Sequence, residues 1–450
     1  MSRRYLIETF GCQMNVHDSE RMAGLLEAAG YEPALEPADA DVIVLNTCTV
    51  REKAEDKVLS RIGELRGQSG PGGQAPVIAV AGCLAQQDGA GLFRRARAVD
   101  VVVGTMAERR LPALIDEAMR TGSRQIDVNP YDDVSFPLGM TRRADPVKAY
   151  VTIIEGCNDY CAFCVVPQTR GHERMRSKSE ILAEVHEAVR GDRTEIHLLG
   201  QIVNHYQAPD DPQCDFAGLL AAVDSVPGIR RIRFASPHPR HVTPRLIDAL
   251  RDLPHVCKHL HLPVQSGSTR VLAAMRRRHT REEYLSLVHA VKAGVPGIQL
   301  STDLIVGFPG ETQEDFADTL SLVESVGFHS MFSFKYSERP GTLAAKRLAD
   351  DVPEVEKDRR LGVLQAMQKG IQGPLHAAAV GSTVEVLVDS VSRRRATELS
   401  GRTTGNTVVN FPGDAELLGS LVMVDIERAG AFSLWGQVRT LTECQAGPNL

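Results

Sequence analysis

The sequence lacks long hydrophobic runs, and this absence excludes several classes of protein. Of its 450 residues 43% are hydrophobic, yet the longest apolar stretches, 41–46 and 76–81, fall far short of the ~20 residues that a membrane span needs. The amino terminus, Met-Ser-Arg-Arg-Tyr-Leu-Ile-Glu, has too short an apolar run for a secretory signal. We therefore expect a cytoplasmic, globular protein of two to four domains that makes no membrane contact.

The sequence also lacks an excess of positive charge and an even number of cysteines. A net charge of −6 argues against nucleic-acid binding, although screening beyond ~8 Å lets a local basic patch act alone. Nine cysteines do not suit a disulfide framework, and six of them form two triplets. In a reducing compartment, triplets indicate metal or redox chemistry. Cys214, Cys257 and Cys444 match no motif, and we interpret them as ordinary thiols.

One triplet, Cys157, Cys161 and Cys164, is spaced C-x3-C-x2-C within Gly156-Cys-Asn-Asp-Tyr-Cys-Ala-Phe-Cys164. Three thiolates can hold three irons of a cubane iron-sulfur cluster and leave the fourth iron open to a small molecule. The alternative is structural zinc in a non-catalytic RNA-binding protein. Zinc, however, usually takes four ligands, and the nearest histidine, His172, is eight residues away.

Residues 1–120 alternate between strand and helix patterns, which predicts an α/β domain with a doubly wound parallel sheet. Three of its predicted strands end at Cys12, Cys48 and Cys83. Because ligands gather at the carboxyl ends of parallel strands, we expect these cysteines to meet and to form a second three-thiolate cluster site. A single cysteine at the end of a strand is more often a small buried residue than a metal ligand.

The remaining residues predict a linker, a second α/β domain and a β-rich end. Residues 121–147 are rich in Gly and Pro and predict the linker. Six strand-helix units over 148–350 predict a partial or full (β/α) barrel, with the C-x3-C-x2-C loop after its first strand, at the carboxyl face. Residues 351–376 predict a helical connection, and 377–450 predict a small β-barrel. Four arginines of this last domain form either a phosphate-facing patch or a solvated basic loop: Arg393, Arg394, Arg395 and Arg402.

Motifs along nearly the whole chain resemble those of the methylthiotransferase family of radical S-adenosylmethionine enzymes. The amino-terminal motifs are 9–15, 46–53 and 80–86, and the barrel motifs are 155–158, 161–167, 169–171, 260–267 and 303–311. Residues 401–403 and 408–411 resemble the TRAM domain, which binds RNA in this family.

The resemblance implies S-adenosylmethionine and two 4Fe-4S clusters as cofactors. The cluster on Cys157, Cys161 and Cys164 is expected to cleave S-adenosylmethionine to a radical, and the cluster on Cys12, Cys48 and Cys83 to carry the sulfur. Four residues are expected to contact S-adenosylmethionine, with strand packing as the alternative: Gly200, Gln201, Asp303 and Gly307. The implied partners are a tRNA anticodon loop, an electron donor such as flavodoxin or ferredoxin, and a sulfur donor.

The family includes tRNA enzymes and an enzyme that modifies a ribosomal-protein aspartate. Residues 164–171, 337–342 and 408–411 are most similar to the enzymes that add a methylthio group to C2 of N6-isopentenyladenosine beside the anticodon. Threonylcarbamoyladenosine and the ribosomal-protein aspartate are the alternative substrates. Met175, Ser177 and Ile202 depart from the expected Ser, Pro and Asn, which bears on the substrate and not on the chemistry.

Overall fold

The computed structural model describes residues 3–49, 52–67, 70, 73–130, 141–392, 395 and 397–439, without the side chains of 52–54. These residues form an amino-terminal parallel sheet, a central barrel and a small carboxyl-terminal barrel. No helix within these ranges has the length and apolar character needed to cross a bilayer.

The amino-terminal domain is a six-stranded parallel sheet in the order β2-β1-β3-β4-β5-β6, with helices on both faces. Side chains alternate between two separate cores, which explains why its central strands are continuous apolar runs. The doubly wound sheet predicted from sequence is thereby confirmed. Its elements are β1 (Arg4–Phe10), α1 (Gln13–Ala28), β2 (Glu32–Pro33), β3 (Val42–Thr47), α2 (Glu52–Leu65), β4 (Val77–Gly82), α3 (Cys83–Asp88), α4 (Gly91–Arg95), β5 (Val101–Val103), α5 (Leu111–Thr121) and β6 (Gln125–Asp127).

The predicted linker over 121–147 began too early, because β6 belongs to the sheet. Val101 pairs with Gln125 and Val103 with Asp127. A three-residue strand is too short to show an alternating pattern, and the turn residues around it hid it in the sequence. Residues 131–140 of the expected linker lie outside the described residues.

The central domain is a partial barrel of six parallel strands. The sheets β11-β10-β7 and β12-β13-β14 are joined by a parallel bridge between Ile232 and Val256, which confirms the predicted (β/α) architecture. Its elements are β7 (Lys148–Thr152), β8 (Ile154–Glu155), α6 (Val166–Thr169), β9 (Arg174–Met175), α7 (Lys178–Arg190), β10 (Glu195–Leu199), α8 (Phe216–Asp224), β11 (Arg231–Phe234), α9 (Pro244–Asp252), β12 (His259–His261), α10 (Thr269–Ala274), α11 (Arg281–Gly294), β13 (Gln299–Val306), α12 (Gln313–Val326) and β14 (Ser330–Lys335).

The barrel strands have one apolar face and one polar face. In β10, Ile196 and Leu198 pack with the surrounding helices in the main core, whereas Glu195 and His197 alternate with them and point the other way. Glu195 accepts a hydrogen bond from Arg233 of β11 at 3.2 Å. The barrel interior is therefore lined by paired polar groups.

Two helices lead to the last domain, α13 (Leu343–Arg347) and the long α14 (Glu354–Ala377). That domain is a closed barrel in the order β15-β16-β17-β19-β18, as predicted. Val386, Val388, Phe411 and Leu434 fill its core. Its strands are β15 (Thr383–Val391), β16 (Glu398–Arg402), β17 (Val408–Pro412), β18 (Leu421–Ala429) and β19 (Ser433–Val438).

The small barrel contacts the amino-terminal base of the central barrel. Lys148, the first residue of β7, forms an ion pair with Asp389 at 2.9 Å. Gln299, the first residue of β13, accepts a hydrogen bond from Thr407 at 3.0 Å. Because barrel strands run parallel, their first residues mark the end opposite the C-x3-C-x2-C loop.

Two buried arginines of β11 reinforce this contact. Arg231 donates to the Arg402 carbonyl, and to the carbonyl and carboxylate of Glu385 at 3.2 Å each. Arg233 donates to the Thr403 carbonyl at 2.8 Å. Of the four arginines proposed to face phosphate, Arg402 lies at this contact and Arg395 pairs with Glu398. Arg393 and Arg394 lie outside the described residues.

Candidate active site

The first cysteine triplet lies on a loop that begins directly after β8. Gly156 opens the loop at φ 77°, and a Cβ there would lie 2.1 Å from the His172 carbonyl oxygen, so the position requires glycine. Farther along, Ala162 donates to the Met275 carbonyl at 2.9 Å and accepts from the Ala344 N–H at 2.8 Å. Backbone hydrogen bonds thus hold the loop in one conformation at the carboxyl face of the barrel.

The three thiols of this loop influence one another electrostatically. Burial, together with the charge of the neighbouring Cys161, raises the pKa of Cys157 to about 11 and the pKa of Cys164 to about 12. Arg277 donates from its guanidinium to the Cys161 sulfur at 3.5 Å. Because metal ligation requires thiolates, binding of a cluster here releases protons.

The second triplet gathers at the carboxyl ends of β1, β3 and β4. Cys12 directly precedes α1, Cys48 follows β3, and Cys83 is the first residue of α3. A Cβ at Gly11 would lie 2.9 Å from the Cys48 Cβ, so glycine permits the close approach of these two turns. The three cysteines therefore lie at one edge of the sheet, and their role as a common cluster site stays a prediction.

Two buried asparagines brace the second triplet. The side-chain amide of Asn15 donates to Asn46 Oδ1 at 3.3 Å, and the side-chain amide of Asn46 donates to the Ser19 hydroxyl at 2.9 Å. The Cys12 thiol donates to Asn15 Oδ1 at 3.4 Å. Both asparagines lie within the resembling motifs, but sequence reasoning assigned them no role.

The thiols of the second triplet are in different electrostatic environments. A hydrogen bond with the Cys48 thiol, aided by the charge of Arg170, lowers the pKa of Cys12 to about 6 despite desolvation. Burial raises the pKa of Cys83, although Arg170 opposes this shift. One cationic side chain from the central domain thus acts on two cysteines of the amino-terminal domain.

Arg170 lies where the two triplets approach each other. It follows α6, six residues after Cys164, and donates to Asp18 of α1 at 2.5 Å. The α6 helix packs against α3, which begins at Cys83. The C-x3-C-x2-C loop and the second triplet are therefore joined by one short helix and one buried ion pair.

A wider set of buried charges surrounds this pair. Arg21 of α1 forms an ion pair with Glu155 at 2.9 Å, and Arg174 reaches the other oxygen of Glu155 at 3.3 Å. Burial alone would raise the pKa of Glu155, but these arginines lower it below its usual value. Glu108 has the opposite shift, because burial and the charge of Asp18 raise its pKa well above normal.

The cysteines suit iron-sulfur ligation by their chemistry, since thiolates are the usual protein ligands of such clusters. The eight cysteines in the described ranges form no disulfide. Across the same ranges, no three Cys, His, Asp or Glu side chains are arranged to hold a metal ion. The ligand roles of the six cysteines accordingly stay a prediction.

Gly200 and Gln201 follow β10 at the carboxyl face of the barrel. A Cβ at Gly200 would lie 3.1 Å from the Ile154 Cβ, so its close packing against β8 accounts for the glycine. The side-chain oxygen of Gln201 is buried and, within the described part of the chain, accepts no hydrogen bond. Such an acceptor costs free energy unless a donor reaches it, which makes Gln201 a candidate ligand contact.

Asp303 and Gly307 are not equivalent as candidates. Asp303 of β13 lies on the interior face, 3.4 Å from His261, and its side chain is partly exposed. Gly307 has φ 70°, and its N–H donates to the buried Glu311 carboxylate at 2.6 Å. Its conformation therefore has a structural reason independent of any ligand.

Sequence reasoning missed Asp159, the buried residue two positions after Cys157. Arg240 donates to its carboxylate at 3.2 Å, and His238 lies 3.6 Å from it. The pKa of His238 is lowered well below normal by burial and by the charge of Arg277. No local sequence pattern marks this cluster, because its members come from distant parts of the chain; Arg278, for example, lies 3.8 Å from Asp159 only in the folded protein.

Three family descriptions match successive parts of the chain. Residues 4–104 match the uncharacterized protein family UPF0004, residues 151–323 match the Radical SAM superfamily, and residues 377–438 match the TRAM domain. The fold and the cysteine loop thus define a radical S-adenosylmethionine enzyme with an appended TRAM domain. Membership of this superfamily brings S-adenosylmethionine and one 4Fe-4S cluster as cofactors.

Curated relatives narrow this class further. The tRNA-2-methylthio-N(6)-dimethylallyladenosine synthase of Bordetella petrii is 46% identical over 97% of this chain and 92% of its own length. The enzymes of that name from Thiobacillus denitrificans and Solibacter usitatus are 46% and 43% identical, over 98% of this chain and 99% and 98% of theirs. The chain belongs to the family of tRNA-2-methylthio-N(6)-dimethylallyladenosine synthases.

Solved structures share the fold at low sequence identity. The radical S-adenosylmethionine methyltransferase TsrM from Kitasatospora setae, with cobalamin and a 4Fe-4S cluster bound, has a TM-score of 0.56 at 14% identity. The similarity covers 77% of this chain and 74% of TsrM. The cobalamin-dependent radical enzyme OxsB, with aqua-cobalamin and S-adenosylmethionine bound, has a TM-score of 0.50 at 14% identity over 82% of this chain and 56% of its own. These similarities concern the fold alone.

Proposed function

We propose that this chain is a tRNA methylthiotransferase that adds a methylthio group to C2 of N6-isopentenyladenosine beside the anticodon. One structural observation carries the proposal: the loop of the first triplet leads into α6, and α6 packs against α3, which begins at Cys83 of the second triplet. A reaction that needs both a radical and a sulfur atom requires two such sites next to each other. The full-length identity with the named relatives supports the same assignment.

The chemistry of the substrate explains why a radical cofactor is needed. The adenine C2–H bond offers neither an acidic proton nor a leaving group, so a general acid or base has nothing to act on. The cofactors supply this hard chemistry, while the protein binds and orients the reactants. Cys157, Cys161 and Cys164 would hold the cluster that activates S-adenosylmethionine.

Gln201 fits the polar end of S-adenosylmethionine. Its buried side-chain oxygen has no donor among the described residues, and an ammonium group is a strong donor to such an acceptor. Asp303 of β13 lies 3.4 Å from His261 and is partly exposed, so its carboxylate is proposed to accept a hydrogen bond from a ribose hydroxyl. Gly200 and Gly307 contribute through backbone conformation and close packing.

The second triplet, Cys12, Cys48 and Cys83, is proposed to hold a second 4Fe-4S cluster that carries the sulfur. The donor set supports this role, because three thiolate ligands would leave one iron of a cubane without a protein ligand. A sulfur donor and an electron donor such as flavodoxin or ferredoxin then complete the reaction. The cytoplasm, where tRNA is modified, is the proposed location.

The RNA is proposed to contact the TRAM domain and to present its anticodon loop to the barrel. Unstacking a target base costs a few kcal/mol in a duplex and less in a single-stranded loop. An adenosine of an anticodon loop can therefore leave its stack at a lower cost in free energy than one in a duplex. This preference favours tRNA over a duplex RNA as the substrate.

The first test is mass spectrometry of nucleosides from bulk tRNA of the host after deletion of this gene. Loss of the methylthio group with accumulation of N6-isopentenyladenosine is the expected result. Loss of a methylthio group from threonylcarbamoyladenosine would instead assign the other tRNA substrate. The proposal would be contradicted if the nucleoside profile were the same in the wild type, in the deletion strain and in the deletion strain that carries a plasmid copy of the gene.

A metal assay on the purified holoenzyme tests the cofactors separately. Two cubane clusters require ~8 irons and as many sulfides per chain. About four irons would leave the second cluster unsupported. Stoichiometric zinc without iron would favour the non-catalytic alternative.

A further inference from the structure

We infer that Arg170 is a positioning residue of the second cysteine triplet, whose guanidinium offsets the thiolate charge of Cys12, Cys48 and Cys83 and tunes the reduction potential of a cluster bound there. The inference rests on the proposed function, because it presumes that this triplet carries a cluster. It goes further by assigning control of that cluster to a residue of the central domain. Arg170 is thereby distinguished from the cysteines, which act as ligands.

The placement of Arg170 is the first argument. It is only 6% exposed, and it is held from two sides: Asp18 accepts its hydrogen bond at 2.5 Å, and Thr105 binds the carbonyl of the preceding residue, Thr169. Arg170 directly follows α6, which packs against α3, the helix that begins at Cys83, and its positive charge opposes the rise that burial causes in the pKa of Cys83. A buried arginine in a fixed position is a permanent charge that water does not screen.

The charge balance around Arg170 is the second argument. Three arginines, 21, 170 and 174, face two carboxylates, Asp18 and Glu155. Glu108 is 2% exposed, and in the described part of the chain its carboxyl oxygens have no hydrogen-bond partner. Burial and the charge of Asp18 raise the pKa of this carboxyl well above its usual value. Three guanidinium groups thus face two ion-paired carboxylates close to the second triplet.

The link from charge to function follows from how proteins tune iron-sulfur clusters. Their potentials depend on net charge, hydrogen bonds to sulfur and solvent exposure. A fixed cation next to the thiolates stabilises the reduced, more negative state. Removing it is expected to make the cluster harder to reduce, and removing Asp18 is expected to have the opposite effect.

The test is a redox titration of the reconstituted holoenzyme followed by electron paramagnetic resonance. The signal that changes on addition of S-adenosylmethionine identifies the first cluster, so that each potential is measured separately. Arg170→Met should shift the second cluster to a more negative potential and leave the first cluster nearly unchanged. Arg170→Lys, which keeps the charge, should restore most of the difference.

Two further variants separate a charge effect from a packing effect. Asp18→Asn should shift the second cluster to a more positive potential, whereas a merely structural role predicts loss or no change. Arg174→Met is the matched control: its side chain is 38% exposed and pairs with the same charge group. It should cause a much smaller shift, because water screens it.

Several outcomes would overturn the inference. The first is an equal shift in the potential of the second cluster in Arg170→Met and Arg174→Met. The second is a shift of that potential in the same direction in Arg170→Met and Asp18→Asn. The third is loss of the second cluster in both Arg170→Met and Arg170→Lys. Loss of the second cluster in Arg170→Met with retention in Arg170→Lys would support it. If the wild-type protein holds only about four irons, the second-cluster proposal itself fails, and iron content shows this before any titration.

Discussion

Replacing Arg231 by Met should loosen the TRAM barrel from its seat on the central barrel. Arg231 is 1% exposed and donates to the Arg402 carbonyl and to the carbonyl and carboxylate of Glu385. Methionine keeps much of the apolar stem and removes every donor. The Arg402 carbonyl and the carbonyl and carboxylate of Glu385 then lose their charged partner.

The expected cost follows from these contacts. A hydrogen bond to a charged group is worth ~1.5–3 kcal/mol, and the carbonyls of Arg402 and Glu385 each lose one. The carboxylate of Glu385 is 46% exposed and adds little, because solvent screens it. Part of this loss in the free energy of unfolding is offset, because a neutral methionine does not incur the desolvation cost of a buried guanidinium. A net cost of about 3 kcal/mol results.

The assay uses the single tryptophan of the chain, Trp435, which lies in β19 and reports on the TRAM barrel alone. In guanidinium chloride, Arg231→Met should lower the midpoint of the fluorescence transition by roughly 1 M. The control is Arg439→Met, whose side chain is 54% exposed and pairs with Asp425 at the surface, so that its cost should stay within ~1 kcal/mol. Equal midpoints for the two variants would refute the reasoning.

Three other predictions follow from the site and its surroundings. Alanine at any cysteine of the first triplet, 157, 161 or 164, should abolish 5′-deoxyadenosine formation. Alanine at 12, 48 or 83 should leave the uncoupled cleavage of S-adenosylmethionine intact and stop methylthiolation. Chromatography of the reaction products measures both activities. Gly156→Ala should cost at least ~2 kcal/mol and lower iron content, because its Cβ would meet a carbonyl oxygen, whereas Gly362→Ala, in open helical surroundings, should not destabilise. Burial raises the pKa of Glu20 to about 7, so the protonated form stabilises the fold below the unfolded pKa, and this stability is lost as pH rises through 7. Relative to Glu20→Gln, the unfolding free energy of the wild type should therefore fall between pH 4 and pH 8, by on the order of 3 kcal/mol.

The sequence predicted those features that depend on local pattern. Cys12, Cys48 and Cys83 each follow a segment with a strand pattern, so parallel topology alone placed them at one sheet edge. The spacing of the three cysteines was sufficient to identify the C-x3-C-x2-C loop as a candidate cluster site. Strand-helix alternation likewise predicted both α/β domains.

The features that the sequence did not predict join residues far apart in the chain. Arg170 and Asp18 are 152 positions apart, and Arg231 and Arg402 are 171 apart. The sequence does not reveal such a pairing, because a buried arginine has the same local pattern as a half-exposed one and its partner lies in another domain. The strand at Gln125–Asp127 was missed for a different reason, since three residues do not define a period.

The seat of the TRAM domain sets a minimum length for the RNA. Gln299 meets the TRAM domain at the start of β13, and the eight residues of that strand span ~26 Å before the chain reaches the reactive end of the barrel. An RNA that contacts both ends must bridge at least this distance along the outside of the barrel. The stem next to the anticodon loop would extend the RNA toward the TRAM domain, so hairpins with a shortened stem should bind more weakly.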